Sequence, residues 1–170
     1  MESQVRREGA VVRVGIGYDL HRLEPGRRLV LGSLEVEFDR GLVGHSDGDV
    51  VLHAVIDALL GAAGLPDIGE QFPDTDPVYK DADSAVLLKQ AVALVRRRGF
   101  EPANVDLVIH AEKPKLSTYK APMAAAIAGL IGRPPDDVNV KAKTQEGLGE
   151  IGESRAIACT AVALVVPVED

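Results

Sequence analysis

Apolar positions fall into runs whose period changes along the chain, and each change marks an element. Val11, Val12, Val14 and Ile16 belong to a β-branched run that passes Gly15 and Gly17 towards Asp19 and His21, which predicts a first strand. Residues 28–32 and 34–38, with Leu34, Val36 and Phe38 alternating inward, predict a hairpin turning at Gly32-Ser33. From Val50 to Leu60 the pattern becomes helical and apolar almost all round, with a cap expected at Ser46 or Asp47. One polar stripe interrupts it, because Asp49, His53 and Asp57 are spaced four apart. Residues 64–77 are rich in Gly, Pro and Asp and predict a loop. Asp83 or Ser84 then caps a second helix with Val86, Leu87, Ala91, Leu94 and Val95 on one side. A strand over 104–111, a helix over 118–130, a strand over 138–143, a glycine-rich connection over 145–154 and a last strand over 156–166 complete the order. This is an α/β (α+β) sandwich with a mixed sheet and helices on one side. The last strand is apolar on both faces, and three helices scarcely cover such a sheet, so burial against further subunits is expected.

Composition changes the picture in three ways. At 170 residues and 46% hydrophobic content, residues 11–170 are expected to form a single domain, preceded by a polar, disordered tail over 1–10. No apolar run has membrane-spanning length and the first ten residues do not resemble a signal peptide, so a cytoplasmic protein without membrane contacts is expected. A net charge of −7 argues against a nucleic-acid partner, and an anionic substrate would need metal ions or backbone donors to offset repulsion. The single Cys159 excludes an intramolecular disulfide and reads as a small buried hydrophobe.

The chemistry concentrates in two segments. Asp19 and His21 project to the same side of the first strand, and with His53 they make a carboxylate and two imidazoles. Such a set holds a divalent metal with an open position; zinc suits it best, with manganese or iron as alternatives, and ordinary hydrogen-bonded histidines are the bland reading. His45, Ser46 and Gly48 stand where free N–H groups at a helix start favour an anion, although capping alone would account for Ser46.

The segments Gly-Tyr-Asp-Leu-His-Arg (17–22), Gly-His-Ser-Asp-Gly-Asp-Val-Val-Leu-His (44–53), Asp-Ile-Gly-Glu-Gln-Phe-Pro-Asp-Thr-Asp-Pro (67–77), Ala-Glu-Lys-Pro-Lys (111–115) and Val-Asn-Val-Lys-Ala-Lys-Thr-Gln-Glu-Gly-Leu-Gly (138–149) together resemble the 2-C-methyl-D-erythritol 2,4-cyclodiphosphate synthase family. The resemblance implies a ferredoxin-like fold assembled as a homotrimer with active sites at subunit boundaries. It also implies release of CMP from 4-diphosphocytidyl-2-C-methyl-D-erythritol 2-phosphate with closure of a cyclic diphosphate. Residue by residue, it places His45 and Ser46 at the phosphorylated end of the substrate, and Asp57, Asp67, Gly69, Phe72 and Asp74 at the methylerythritol side. Asp49, with His45 and Asp57, becomes an outer or substrate-orienting group. Ala111, Pro114, Lys115, Ala142 and Thr144 would bind the nucleotide, while Glu146 would hold a second magnesium or manganese at the diphosphate. His45, Asp57, Thr144 and Glu146 thus form the expected catalytic set beside the metal ligands Asp19, His21, His53 and Glu146. The chain departs from the family at Gly152-Glu153-Ser154-Arg155, where arginine and glutamate are reversed, and a ring of intersubunit ion pairs is expected there. An iron-dependent oxygenase and a non-catalytic trimeric nucleotide or isoprenoid-diphosphate binder are the competing readings.

Overall fold

The computed structural model describes residues 11–44, 47–73, 75–79 and 82–168. The expected tail over 1–10 and the site candidates His45, Ser46 and Asp74 lie outside the described residues. The elements run β1 (Arg13–Pro25), β2 (Leu29–Leu31), β3 (Leu34–Val36), β4 (Arg40–Leu42), α1 (Val50–Ala62), α2 (Ile68–Gln71), α3 (Ser84–Arg97), β5 (Phe100–His110), α4 (Lys120–Ile131), β6 (Val138–Lys143), α5 (Gly149–Gly152) and β7 (Ala156–Pro167), with 3-10 turns at Pro77–Tyr79 and Pro135–Asp137.

One five-stranded sheet in the order β4-β1-β7-β5-β6 forms the frame, and β2-β3 is a separate hairpin. The β5-β6 pair is parallel and the other pairings are antiparallel, so the sheet is mixed, as the pattern predicts. The open sheet is not the double-sheet jelly roll that an oxygenase reading would have favoured. Helix α1 packs over β1 and β7, α3 lies beside α1 and against β5, and α4 covers β6. The opposite face carries Val14, Ile16, Tyr18 and Leu20 at 65%, 70%, 58% and 44% exposure, so this apolar face of β1 has no cover among the described residues. Cys159 is fully buried in β7, and desolvation pushes its thiol well above the ordinary range.

Alternation in β1 decides how close α1 comes. Gly15 and Gly17 face the helix, where Ala54, Ala58 and Ala62 recur every four residues. A Cβ on Gly17 would overlap the backbone carbonyl oxygen of Ala54, and one on Gly15 that of Ala58. Since backbone atoms cannot swing aside, Gly17→Ala should lower the unfolding free energy by about 3 kcal/mol. Denaturant titration followed by circular dichroism checks this.

Among the departures from the pattern-based expectation, three lie in or beside the elements that carry the site. Helix α1 starts after Asp49, not at a Ser46 or Asp47 cap, because Gly48 takes φ +73 and interrupts any earlier helical turn. Strand β5 begins at Phe100, four residues early, and a register shift between Pro102 and Asn104 accommodates the proline. The 64–77 loop contains α2, capped by the Asp67 side chain accepting from the Glu70 N–H. The hairpin matches its expectation: Leu31 pairs with Leu34, and Gly32 and Ser33 turn at φ +59 and +65.

Candidate active site

The strand-and-helix geometry brings Asp19, His21 and His53 together. Asp19 and His21 point from β1 towards α1, and His53 faces them one turn into that helix. One ligand atom from each lies within 4.8 Å of the others. Asp19 Oδ2 is 2.9 Å from His53 Nδ1 and 3.5 Å from His21 Nδ1, and the two imidazoles meet edge to face at 5.2 Å. This is a candidate divalent-metal site, formed by the three residues expected to make it.

Ser84 and Asp47, two residues read from sequence only as caps, set the orientation of His53. The Ser84 hydroxyl donates to Asp47 Oδ1, and the Ser84 N–H donates to Asp47 Oδ2 at 3.2 Å. With its proton on Asp47, Ser84 Oγ accepts from His53 Nε2–H at 3.1 Å. Once the Nδ1 proton that Asp19 Oδ2 accepts in the metal-free protein is given up, the Nδ1 lone pair faces Asp19 and His21, the arrangement that a histidine ligand needs. Burial alone would lower the His53 pKa, but the hydrogen bond to Asp19 and the charges of Asp19, Asp49 and Asp47 outweigh it and raise it.

Asp49 is wholly buried and serves a different end from substrate contact. Its Oδ1 accepts the N–H groups of Val51 and Leu52 at 3.1 Å and of Gly32 at 2.9 Å, and its Oδ2 accepts that of Ser33 at 2.7 Å. It therefore caps α1 and fastens the hairpin turn to it. Burial pushes its carboxyl up to about 6 against the lowering pull of these amides.

A cavity of ≈ 340 Å³ opens beside the triad. Asp57, Gly69 and Phe72 line it, as expected, and Tyr79 and Leu87 add apolar wall, with Phe72 and Tyr79 edge to face at 5.4 Å. Asp57 Oδ1 accepts the Ile68 N–H at 2.8 Å, and burial raises its pKa against that bond. Asp67 instead turns to its own helix as a cap and is not among the lining residues.

A second cavity of ≈ 370 Å³ collects the expected nucleotide residues Ala111, Pro114, Lys115, Ala142 and Thr144. Lys120 and Lys143 also line it, giving local positive charge in a chain of net −7. Among the described residues the two cavities share no lining residue. Glu146 lines neither; it is exposed, and its Oε1 accepts from the Thr144 hydroxyl at 3.1 Å. Within one chain Glu146 and the triad therefore belong to separate regions, as suits a ligand expected for a second ion rather than for the triad's own.

The expectation for residues 152–155 changes as well. Arg155 pairs inside the chain, with Glu150 at 3.0 Å and Glu153 at 2.8 Å, and all three side chains are more than half exposed. Exposed pairs of this kind contribute at most about 1 kcal/mol each. Among the described residues no helix is long and apolar enough to cross a membrane.

Known proteins resemble the chain along nearly its full length. The model of the YgbB family matches residues 12–166. A protein of Dechloromonas aromatica (strain RCB) named 2-C-methyl-D-erythritol 2,4-cyclodiphosphate synthase is 55% identical over 153 residues, 90% of this chain and 96% of that protein. A 2C-methyl-D-erythritol-2,4-cyclodiphosphate synthase solved in a CDP-bound form superposes with a TM-score of 0.84 at 40% identity, over 90% of this chain and 99% of that one. The bifunctional IspDF of Campylobacter jejuni gives a TM-score of 0.91 at 41% identity; the fold covers 95% of this chain but 44% of that longer one.

Proposed function

This chain belongs to the YgbB family, and on that footing we propose that it is a 2-C-methyl-D-erythritol 2,4-cyclodiphosphate synthase. It converts 4-diphosphocytidyl-2-C-methyl-D-erythritol 2-phosphate to the 2,4-cyclodiphosphate: the 2-phosphate oxygen attacks the β-phosphorus, and the bond to CMP breaks. The observation that carries this reading is the Asp19–His21–His53 cluster lining one cavity with Asp57, Gly69 and Phe72. Phosphoryl transfer of this kind needs no protein nucleophile, only in-line positioning and charge neutralisation.

The triad fits zinc, or manganese as the alternative, because the relay through Ser84 and Asp47 presents an imidazole lone pair beside a second imidazole and a carboxylate. A divalent ion held by Asp19, His21 and His53 would supply charge neutralisation and polarisation at the phosphoryl oxygens. His45 and Ser46 hold the phosphorylated end, and Asp57 orients the methylerythritol hydroxyls from the cavity wall. Lys115 and the backbone around Ala111, Pro114, Ala142 and Thr144 hold the cytidine and its phosphates, with Lys143 adding positive charge. Glu146 and Thr144 hold a second magnesium or manganese at the diphosphate.

One substrate must reach both cavities, which within a chain are lined by different residues. We therefore place the active site between subunits of a homotrimer, each sandwich ferredoxin-like in having one sheet under one helical layer, though with β5 and β6 parallel. Two features support this: the uncovered apolar face of β1, and an open recess of ≈ 650 Å³ that shares His21 with the triad cavity. We place the trimer in the cytoplasm. The test is direct: incubation of the purified protein with the cytidyl substrate should release CMP and give the cyclic product by phosphorus NMR. A chelator should abolish both, and intact substrate in the presence of magnesium and zinc would overturn the reading.

Glu146→Gln should keep the triad metal yet lower turnover about 100-fold, since only charge at the departing diphosphate is weakened. Raising magnesium should restore part of it. Normal turnover at low magnesium would remove Glu146 from the second-metal role.

A further inference from the structure

The turn that carries Thr144 and Glu146 has little cover of its own. From Lys143 to Glu150 every residue but the half-buried Gln145 is exposed, and the backbone passes through two successive left-handed residues, Glu146 at φ +53 and Gly147 at φ +76. A glutamate in that conformation persists only where its surroundings over-determine it. Two side chains from the end of β5 supply the constraint. Glu112 Oε2 accepts the N–H groups of Gln145 at 3.2 Å and of Gly147 at 3.4 Å, so one oxygen spans the left-handed step. His110 Nδ1 accepts from Gln145 Nε2 at 3.2 Å. Because an amide nitrogen only donates, the ring proton sits on His110 Nε2, which donates to Thr160 Oγ1 on β7 at 3.2 Å. The turn is thereby tied through Gln145 and His110 to a central strand.

We propose that Glu112 and His110 are positioning residues of the nucleotide half-site, clamping the Thr144–Gly147 turn against the loop that follows β5. The proposal rests on the reading that Thr144 and Glu146 face the substrate's diphosphate. Glu112 and Thr144 line the same cavity from different loops, so the clamp also sets its width. A carboxylate beside a diphosphate would repel it, but the bonded oxygen is turned to backbone amides. Both bonds end on that one oxygen, so an amide oxygen in its place accepts both and the negative charge is dispensable.

This separates positioning from chemistry. Glu112→Gln should bind CDP in magnesium, by calorimetry, within about twofold of wild type. Glu112→Ala should weaken CDP about tenfold and lower kcat similarly, with triad metal content and thermal midpoint unchanged. His110→Ala and Gln145→Ala cut one link, so the double variant should bind CDP no worse than the weaker single one. Three results would overturn the proposal: Glu112→Gln as damaging as Glu112→Ala, which would give the charge a direct role; Glu112→Ala binding CDP normally; or fully additive losses at His110 and Gln145. Should wild type bind CDP but release no CMP, the synthase reading falls while the CDP comparisons still decide the clamp.

Discussion

His53→Ala is expected to strip the bound divalent metal and reduce turnover to background while leaving the fold in place. The triad loses one of its three ligands, and the remaining carboxylate and imidazole hold a metal far more weakly. The helix does not depend on this side chain, since its buried residues from Val50 to Ala62 continue to pack on β1 and β7. Elemental analysis beside circular dichroism reads both halves, and full metal occupancy in the variant would remove His53 from the site. The wild type should also lose metal on acidification. Metal and proton compete for Nδ1, and the pKa of His53 is raised in the metal-free protein, chiefly because Asp19 overcomes the desolvation that would lower it. Affinity is therefore full above that raised pKa and falls as pH drops through it. Metal retention that is flat on acidification through and below the ordinary histidine range would contradict the assignment.

Asp49→Asn is expected to destabilise the protein although it conserves the shape of the side chain. The asparagine oxygen can replace Oδ1 for Gly32, Val51 and Leu52, but its NH2 group then meets the Ser33 N–H, donor against donor, inside the protein. A buried unsatisfied donor costs about 1–3 kcal/mol, and Asp49→Ala, which frees all four amides, should exceed that. The cost of the asparagine depends on pH. The folded carboxyl titrates at about 6 against an ordinary 3.8, so its proton is held more tightly in the folded state. Its contribution to stability is complete below 3.8 and is lost as pH rises through 6, a change on the order of 3 kcal/mol. The advantage of wild type over Asp49→Asn should thus be greatest near pH 4 and smallest above pH 6. Urea unfolding of both proteins at pH 4, 5, 6 and 7 measures it, and a difference that does not change with pH would show that Asp49 is ionised throughout.

The residues that meet at the triad were legible because local periodicity fixes side-chain direction. Asp19 and His21, two apart on a strand, share a face, and His53 and Asp57, four apart on a helix, share another. The Gly32-Ser33 turn was legible because few residue pairs accept left-handed φ at both positions. An apolar sheet face in need of further cover followed from the apolar residues on both faces of β7, but that β1 carries its most exposed part was decided only by the sheet order. Asp49 marks where such reasoning stopped: its spacing with His53 and Asp57 placed it in the site, but its partners Gly32 and Ser33 lie on a hairpin 17 and 16 residues earlier. Its bonds to Val51 and Leu52 make it the cap, but only the docking of that hairpin turns it inward and gives it the other two amides. Ser84 likewise looked like a helix end until α3 packed beside α1 and set its hydroxyl between His53 and Asp47. The separation of Glu146 from the triad was invisible for the same reason: period assigns each side chain a direction within its element, whereas the distance between two elements is settled only when the sheet order brings β6 to one edge and β1 towards the other.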